Sequence, residues 1–324
     1  MRLLLSSGSF LAALSLSLCV YAADGKNANT YTDPASAGPD YQVQGEYASG
    51  EGASGWGLQV IALGDGKFDA VLYPGGLPGA GWNGETKYKL SGETKENRTE
   101  LAGKMSSGSI EGEVFRGKGP DGVSLELKKV ERKSPTLGAK PPKGAIVLFD
   151  GTSVDQWQNG KLEEGNLLGV GTRTKEKFRD YTLHLEFRTP FMPKARGQGR
   201  GNSGMYLNDQ YEVQILDSFG LEGKDNECGG IYQASPPKVN MCLPPLAWQT
   251  YDVEMKAARF DESGKKIAPA TATVRHNGVV IHDQLEIPQS TPGGGTRDES
   301  QAGSLFLQDH GNPVRFRNIW IVPR

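Results

Sequence analysis

The run Gly201-Asn202-Ser203-Gly204-Met205-Tyr206-Leu207-Asn208-Asp209-Gln210-Tyr211-Glu212-Val213-Gln214-Ile215-Leu216-Asp217 sets the pattern for most of this chain. In its second half Tyr211, Val213 and Ile215 alternate with Glu212 and Gln214, and successive side chains of a strand point to opposite sides. One face is therefore apolar and suited to a core; the other carries chemistry. An acid on a sheet face is ordinarily a solvated surface residue. Here Asn202, Tyr206, Gln214 and Asp217 set amide, phenol and carboxyl groups around Glu212 in sequence. Leu216 breaks the alternation, and a bulge there would return Asp217 to the face of Glu212, whereas a strand-ending turn would not.

The same alternation recurs outward from this run. Leu183, Leu185 and Phe187 oppose His184, Glu186 and Arg188, and Tyr251, Val253 and Met255 oppose Asp252, Glu254 and Lys256. Asn277-Gly278 marks a hairpin within 271–282, and further strands are expected at Ile146–Phe149, 304–308 and 315–322. Short strands that return from far along the chain suit two packed antiparallel sheets, a sandwich or jelly roll, over residues 145–324. Upstream, 56–73 reads as a hairpin about Asp65-Gly66, with further strands at 87–90, 109–115 and 123–130, giving a small β-rich domain over 41–131. The glycine-rich loop 73–82 is not followed by a helix opening on Lys-Ser or Lys-Thr, so a turn is expected there rather than a phosphate cradle. Residues 132–144, charged and broken by Pro135, Pro141 and Pro142, read as a linker.

Composition agrees with an all-β chain: 44 glycines and 19 prolines among 324 residues punctuate short β-branched and aromatic runs. A net charge of -2 from interspersed acids and bases gives no electrostatic footprint for nucleic acid or an anionic membrane. Met1-Arg2, the apolar run 3–20 and the small residues Ala22-Ala23 read as a secretory signal over 1–22, followed by a flexible linker over 23–40. Export implies a periplasmic or extracellular protein. With Cys19 inside the signal, Cys228 and Cys242 remain, and a disulfide between them is expected in an oxidising compartment.

Six blocks are specific enough to carry a family resemblance: Leu148-Phe149-Asp150-Gly151 with Trp157, Gly201-Asn202-Ser203-Gly204-Met205-Tyr206, Tyr211 to Asp217, Cys228-Gly229-Gly230-Ile231-Tyr232, Trp248-Gln249-Thr250-Tyr251-Asp252, and Leu307 to Trp320. In order across roughly 145–323, they resemble the 3-keto-disaccharide hydrolase domain, also described as 3-keto-glucoside 1,2-lyase and 3-keto-2-hydroxy-glucal hydratase. The resemblance implies a concanavalin A-like jelly-roll sandwich, here preceded by the small β-rich domain, which lies outside it. It further implies an exported enzyme cleaving 3-keto-glycosides by C2 deprotonation and elimination, or by net hydrolysis. A separate sugar 3-oxidoreductase would install the ketone.

Such chemistry needs a base, a proton donor and a positive or donor-rich site at the enolate oxygen. Glu212 and His310 are the candidates for the acid and base, with Arg317 at the enolate. Asn202, Tyr206, Gln214, Asp217, Gln308, Asp309 and Arg188 are candidates for holding hydroxyl groups, and Trp248 for stacking on a sugar face. Gln308, Asp309 and His310 with Glu212 also leave a divalent metal open, although no close ligand spacing singles one out. Two other readings stand beside this one. The chain is a glycan-binding module without catalysis, or, since 212–217 looks like the acidic strand of laminarinase-type enzymes, a retaining glycosidase using two carboxyl groups about 5 Å apart.

Overall fold

A computed structural model describes residues 29–50 and 55–324. The signal peptide read at 1–22, and the first part of the linker at 23–40, lie outside these residues. The described chain is nearly all β, its helix confined to Gly38–Val43 and three short 3-10 turns. Among the described residues eight antiparallel strands close a barrel: Gly45–Ser49, Trp56–Gly64, Lys67–Pro74, Tyr88–Lys95, Arg98–Gly103, Ser107–Glu111, Val114–Lys118 and Ser124–Val130. Closure comes from pairing of the first with the last, Glu46 opposite Val130, and it removes the exposed edges of an open sheet. The Asp65-Gly66 turn is there, both residues at positive φ (56° and 72°) as a tight hairpin with matching twist requires. The single strand expected over 109–115 is instead two strands folded back at Gly112, whose φ of 58° suits glycine.

The second module is two sheets. One runs Trp157–Gln158, Thr172–Thr174, Phe306–Leu307, Ser203–Leu207, Tyr211–Ile215 in spatial order. The larger runs Leu162–Glu163, Leu167–Leu168, Arg315–Pro323, Tyr181–Arg188, Gln249–Lys256, Ala270–His276, Val279–Ile287, with Ile146–Phe149 also paired to Arg315–Pro323. Met205, Tyr211, Val213 and Ile215 from the first sheet share one core with Leu183, Leu185, Phe187, Val253 and Phe316 from the second. Each such aliphatic or aromatic side chain contributes about 1.5–3 kcal/mol on burial. Ile61, Val71 and Tyr73, which point outward from the barrel, belong to the same core, so the modules share apolar interior.

The segments read as linkers are tied down. Tyr31 exchanges both backbone hydrogen bonds with Phe191 at 2.9 Å, and the rings of Tyr31 and Tyr41 lie 5.8 and 5.4 Å from that of Phe191. Asp33 caps the Pro34–Ser36 turn. Residues 132–144 form a strap over the outer face of the large sheet. Arg132 grips buried Glu46 of the barrel at 2.6 and 2.5 Å, Thr136 donates to Asp252 at 2.6 Å, and the Gly138 N–H donates to Glu186 at 2.5 Å. Prolines here limit conformations but do not loosen the chain, because polar partners on the sheet fix it.

Under the strap, fully buried His184 places Nδ1 2.6 Å from Asp252 and Nε2 3.6 Å from Glu186. Burial alone would push the imidazole down, but these two carboxylates outweigh it and hold it above its ordinary value. Burial pushes Glu186 up, yet His184, Asn318, the Gly138 amide and Arg317 together bring it down to about 2. The signs differ. Stability from the lowered Glu186 is present above about pH 4.5 and is lost as pH falls toward 2, whereas that from the raised His184 is full below about 6.5 and is lost as pH rises through its folded value. The strap is therefore expected to be tightest in mildly acidic to neutral solution, with Glu186→Gln, at a side chain only 1% exposed, costing on the order of 2–3 kcal/mol there. Thermal unfolding of both proteins from pH 3 to 9 checks this: the acid limb should shrink in the variant.

The disulfide expected between Cys228 and Cys242 is not formed; both are free and buried. The two thiols adjoin and are hydrogen-bonded to each other, with Cys228 also 3.3 Å from the Tyr251 hydroxyl and Cys242 3.5 Å from the carbonyls of Leu216 and Leu243. The pair read from sequence thus meets in the core as two thiols without a covalent link.

Candidate active site

Alternation places the site. With Tyr211, Val213 and Ile215 turned into the core, Glu212 and Gln214 project from the other face of the smaller sheet, and register sets Tyr206 opposite Glu212 and Gly204 opposite Gln214. Loops cover this face, and a pocket of about 200 Å³ remains, lined among others by Asn202, Tyr206, Glu212, Gln214, Gln308 and His310. Those six were expected from sequence. Gln198 and Tyr232 also line it and were missed, since neither sits in a periodic run.

Glu212 is only 2% exposed, and burial pushes its carboxyl up to about 7, opposed by the hydrogen bond from Tyr206. The Tyr206 hydroxyl lies 2.7 Å from Glu212 Oε2 and 2.9 Å from the Pro292 carbonyl, and Gln308 Nε2 reaches it at 3.4 Å. Burial, then the neighbouring carboxylate, raises the phenol far above its usual range, so Tyr206 stays a donor. The Glu212 backbone N–H donates to Thr291 Oγ1 at 2.9 Å, fixing the strand against the covering loop.

Gly204 makes room for this carboxylate: a Cβ there would meet Glu212 Oε1 at 2.1 Å and Cδ at 2.9 Å. Gly204→Ala must therefore displace this carboxylate, and for a group that acts in catalysis a misplacement of about 1 Å costs about 10²-fold in rate. Kinetics of a folded Gly204→Ala protein should show the loss in kcat more than in KM.

Amides complete the walls. Gln198 anchors the arrangement: its carbonyl accepts from Asn202 Nδ2 at 2.7 Å, its Oε1 from Gln214 Nε2 at 3.2 Å, and its Nε2 donates to the Asn226 carbonyl at 2.7 Å. Asn202 Oδ1 is buried without a partner. An unpaired buried acceptor costs about 1–3 kcal/mol, and a ligand hydroxyl in this pocket would satisfy it. The loop after Phe306–Leu307 is stitched down by the Gln308 N–H to the Gly204 carbonyl (2.9 Å), Ser203 Oγ to the Gln308 carbonyl (2.8 Å) and the Asn202 N–H to Asn312 (2.7 Å). His310 is thereby held at the mouth, exposed.

Five expected residues are elsewhere. Asp217 lies beyond the strand end at Ile215 and is ion-paired to Arg200 at 2.6 Å with both side chains buried, so no bulge returns it to Glu212. Asp309 is exposed and accepts from the Gly311 N–H at 2.8 Å, a local turn bond. Arg317 is bound to Glu186 at 2.7 Å on the large sheet, and its guanidinium lies 4.0 Å from the Trp248 ring, with that of Arg188 at 5.0 Å. Alternation assigns these side chains to an outer face, but it does not say of which sheet. Roles for Arg317, Arg188, Trp248, Asp217 and Asp309 in this pocket are thus corrected.

Two consequences follow for the chemistry. Glu212 is the one carboxyl among the pocket's lining residues, so the carboxylate pair of a retaining glycosidase is not assembled here. No Lys or Arg lines the pocket either, so any developing negative charge meets neutral donors. Among the described residues no three His, Cys, Asp or Glu side chains converge as a metal-binding group.

Comparison with known proteins gives a consistent result. Thirteen solved chains match. One, described as a "putative glycosyl hydrolase" from Parabacteroides distasonis, is 34% identical over 56% of this chain and 85% of its own, with a TM-score of 0.51. Another from the same organism with the same description is 18% identical over 56% of this chain and 94% of its own, at a TM-score of 0.40, too low to carry fold or function. No curated protein matches. Residues 144–322 match the family described as the 3-keto-alpha-glucoside-1,2-lyase-like domain, and the chain belongs to that family.

Proposed function

We propose that this is a carbohydrate-active enzyme that cleaves 3-keto-glycosides by elimination, with addition of water giving net hydrolysis. The carrying observation is a buried carboxyl, Glu212, pushed up to about 7 at the floor of an amide-lined pocket with room for one sugar ring. A ketone at C3 acidifies the C2 hydrogen. Glu212, ionised, removes that proton; the electron pair passes into the C2–C3 bond as the ketone oxygen becomes an enolate. Its collapse re-forms the carbonyl, makes the C1–C2 double bond and breaks the bond from C1 to the leaving oxygen. His310 at the mouth supplies a proton to that oxygen. Gln308 Nε2, the remaining N–H of Gln214 and the Tyr232 hydroxyl are the donors available to the enolate, whereas Asn202, whose Nδ2 is held by Gln198, offers only Oδ1 as an acceptor for a sugar hydroxyl.

Family membership and the glycosyl hydrolase description of the 34% identical structure support the carbohydrate-active reading. The arrangement of two packed antiparallel sheets supports a concanavalin A-like jelly roll. Export through the signal sequence, and supply of the ketone by a sugar 3-oxidoreductase, belong to the same proposal.

Incubation with matched oxidised and unoxidised disaccharides tests it: only the 3-keto sugar should be cleaved, with deuterium from solvent appearing at C2. Comparable cleavage of the unoxidised sugar would overturn the reading. His310→Ala should lower kcat by about 10²-fold on poor leaving groups and much less on acidic phenols, which need no proton.

A further inference from the structure

A second cavity, of about 510 Å³, lies between the modules. That volume is typical of small-molecule sites. From the barrel it is walled by Ile61, Leu63 and Val71, and from the sandwich by Phe219 and Leu221. Gly220 lets the loop lie this close, since a Cβ there would meet Ile61 Cδ1 at 2.5 Å.

Its relation to the sugar pocket is set by one turn. Arg196, Gly197 and Arg200 line the cavity, whereas Gln198 and Asn202, in the same short segment, line the pocket. Gln198 is bonded to Asn202 and Gln214 at the pocket and to the Asn226 carbonyl in the segment whose Lys224 and Glu227 line the cavity. The sugar pocket, at about 200 Å³, is filled by a single ring, so whatever is attached at C1 lies outside it.

The chemistry of the walls narrows the occupant. Lys89, Arg196, Arg200 and Lys224 are balanced by Asp69, Asp217, Glu222 and Glu227, so the lining carries no net charge. Arg200 is paired with Asp217, Lys89 with Glu222, and the Arg196 guanidinium donates to carbonyls of Leu63, Pro193 and Ala195. No Trp or Tyr lines the cavity, so it lacks the indole and phenol faces on which sugars stack. Aliphatic walls with a balanced polar rim suit a neutral, flat, largely apolar group bearing a hydroxyl.

The geometry points to this interdomain cavity as the seat of the leaving group of the glycoside, and to that group as a neutral, ring-bearing, mostly apolar alcohol or phenol. The inference rests on the lyase reading for the identity of the occupant, but not for the existence of the site. It gives the barrel, which lies outside the family match, a share in substrate choice.

The test uses the full chain and 2-naphthol, a neutral fluorescent bicyclic phenol. Titration should show saturable binding. Leu221→Asp, which places an unpaired charge on an exposed loop side chain, and Ser91→Trp, which fills the cavity from an exposed barrel position, should each weaken it at least about tenfold. No saturable binding, or equal binding by wild type and both variants, overturns the site. In a second arm, Leu221→Asp should raise KM for a 2-naphthyl 3-keto-glucoside about tenfold more than for the methyl 3-keto-glucoside, which has nothing to place there. Weakened naphthol binding with equal KM changes for the two glycosides overturns the leaving-group assignment. If neither glycoside is turned over by the wild-type protein, the proposed reaction fails, while the naphthol titration still decides the site.

Discussion

Glu212→Gln is expected to lower kcat/KM for a 3-keto-glucoside by about 10²–10⁴-fold, the usual range for loss of a general base, in a protein that is more stable than wild type above pH 7. Both halves come from one cause. The carboxyl is buried on a sheet face with a phenol as its named partner, so its charged form is disfavoured and its proton is held up to about 7 rather than near 4.5. The folded protein thus binds a proton that the unfolded chain has released, and stability falls as pH rises from about 4.5 to 7. Above 7 the accumulated cost is on the order of 2–3 kcal/mol, and glutamine, neutral throughout, does not bear it. As a base the group works only ionised, so wild-type activity should rise with pH through about 7. A pH–rate profile paired with urea unfolding at pH 5 and 8 tests this. A profile flat through neutrality, or a glutamine variant destabilised equally at both pH values, would sink the assignment.

Arg200→Ala should cost about 3–5 kcal/mol of stability. Arg200 and Asp217 are 5% and 1% exposed at their side chains, so removing the guanidinium leaves a carboxylate buried without its partner. More is lost than the pair. Arg200 Nη1 also donates to the Ala62 carbonyl at 3.1 Å and Nη2 approaches Gln44 Oε1 at 3.5 Å, bonds that run from the sandwich to the barrel. The informative control removes both charges: Arg200→Met with Asp217→Leu should recover most of the loss, because paired replacement abolishes the uncompensated charge. Denaturant melts of the single and double variants measure the coupling. A single variant within about 0.5 kcal/mol of wild type would mean that water reaches Asp217.

How much of this was legible follows from what alternation encodes. Period-two patterning at 181–188, 211–215 and 249–256 identified strands and their apolar faces, and Asp65-Gly66 and Asn277-Gly278 identified hairpin turns, because those signals are local. Glu212 was readable as an acid set among polar neighbours since Tyr206, Gln214 and Asn202 lie near it in sequence as well as in space. Arg317 and Trp248 illustrate the limit. Each is polar or amphipathic on an outward face, but only the order of strands in space shows that Arg317 meets Glu186 and Trp248 on the large sheet, away from Glu212. Asp217 was misread for a similar reason: its partner Arg200 reaches it through the fold of an irregular segment, which no periodicity announces. Gln198 and Tyr232 sit in turns, where residue type alone carries little positional information. The strap at 132–144 looked loose because prolines and lysines resemble a tether until the buried His184 and Glu186 beneath it are known.

The apolar mass shared by Ile61, Val71 and Tyr73 with the two-sheet module has a consequence for this chain when it is cut. Removing the barrel would open greasy surface to water and leave the remainder prone to clumping. The barrel is complete within residues 45–130, all upstream of Glu212, so it can close before the strands of the second module join it.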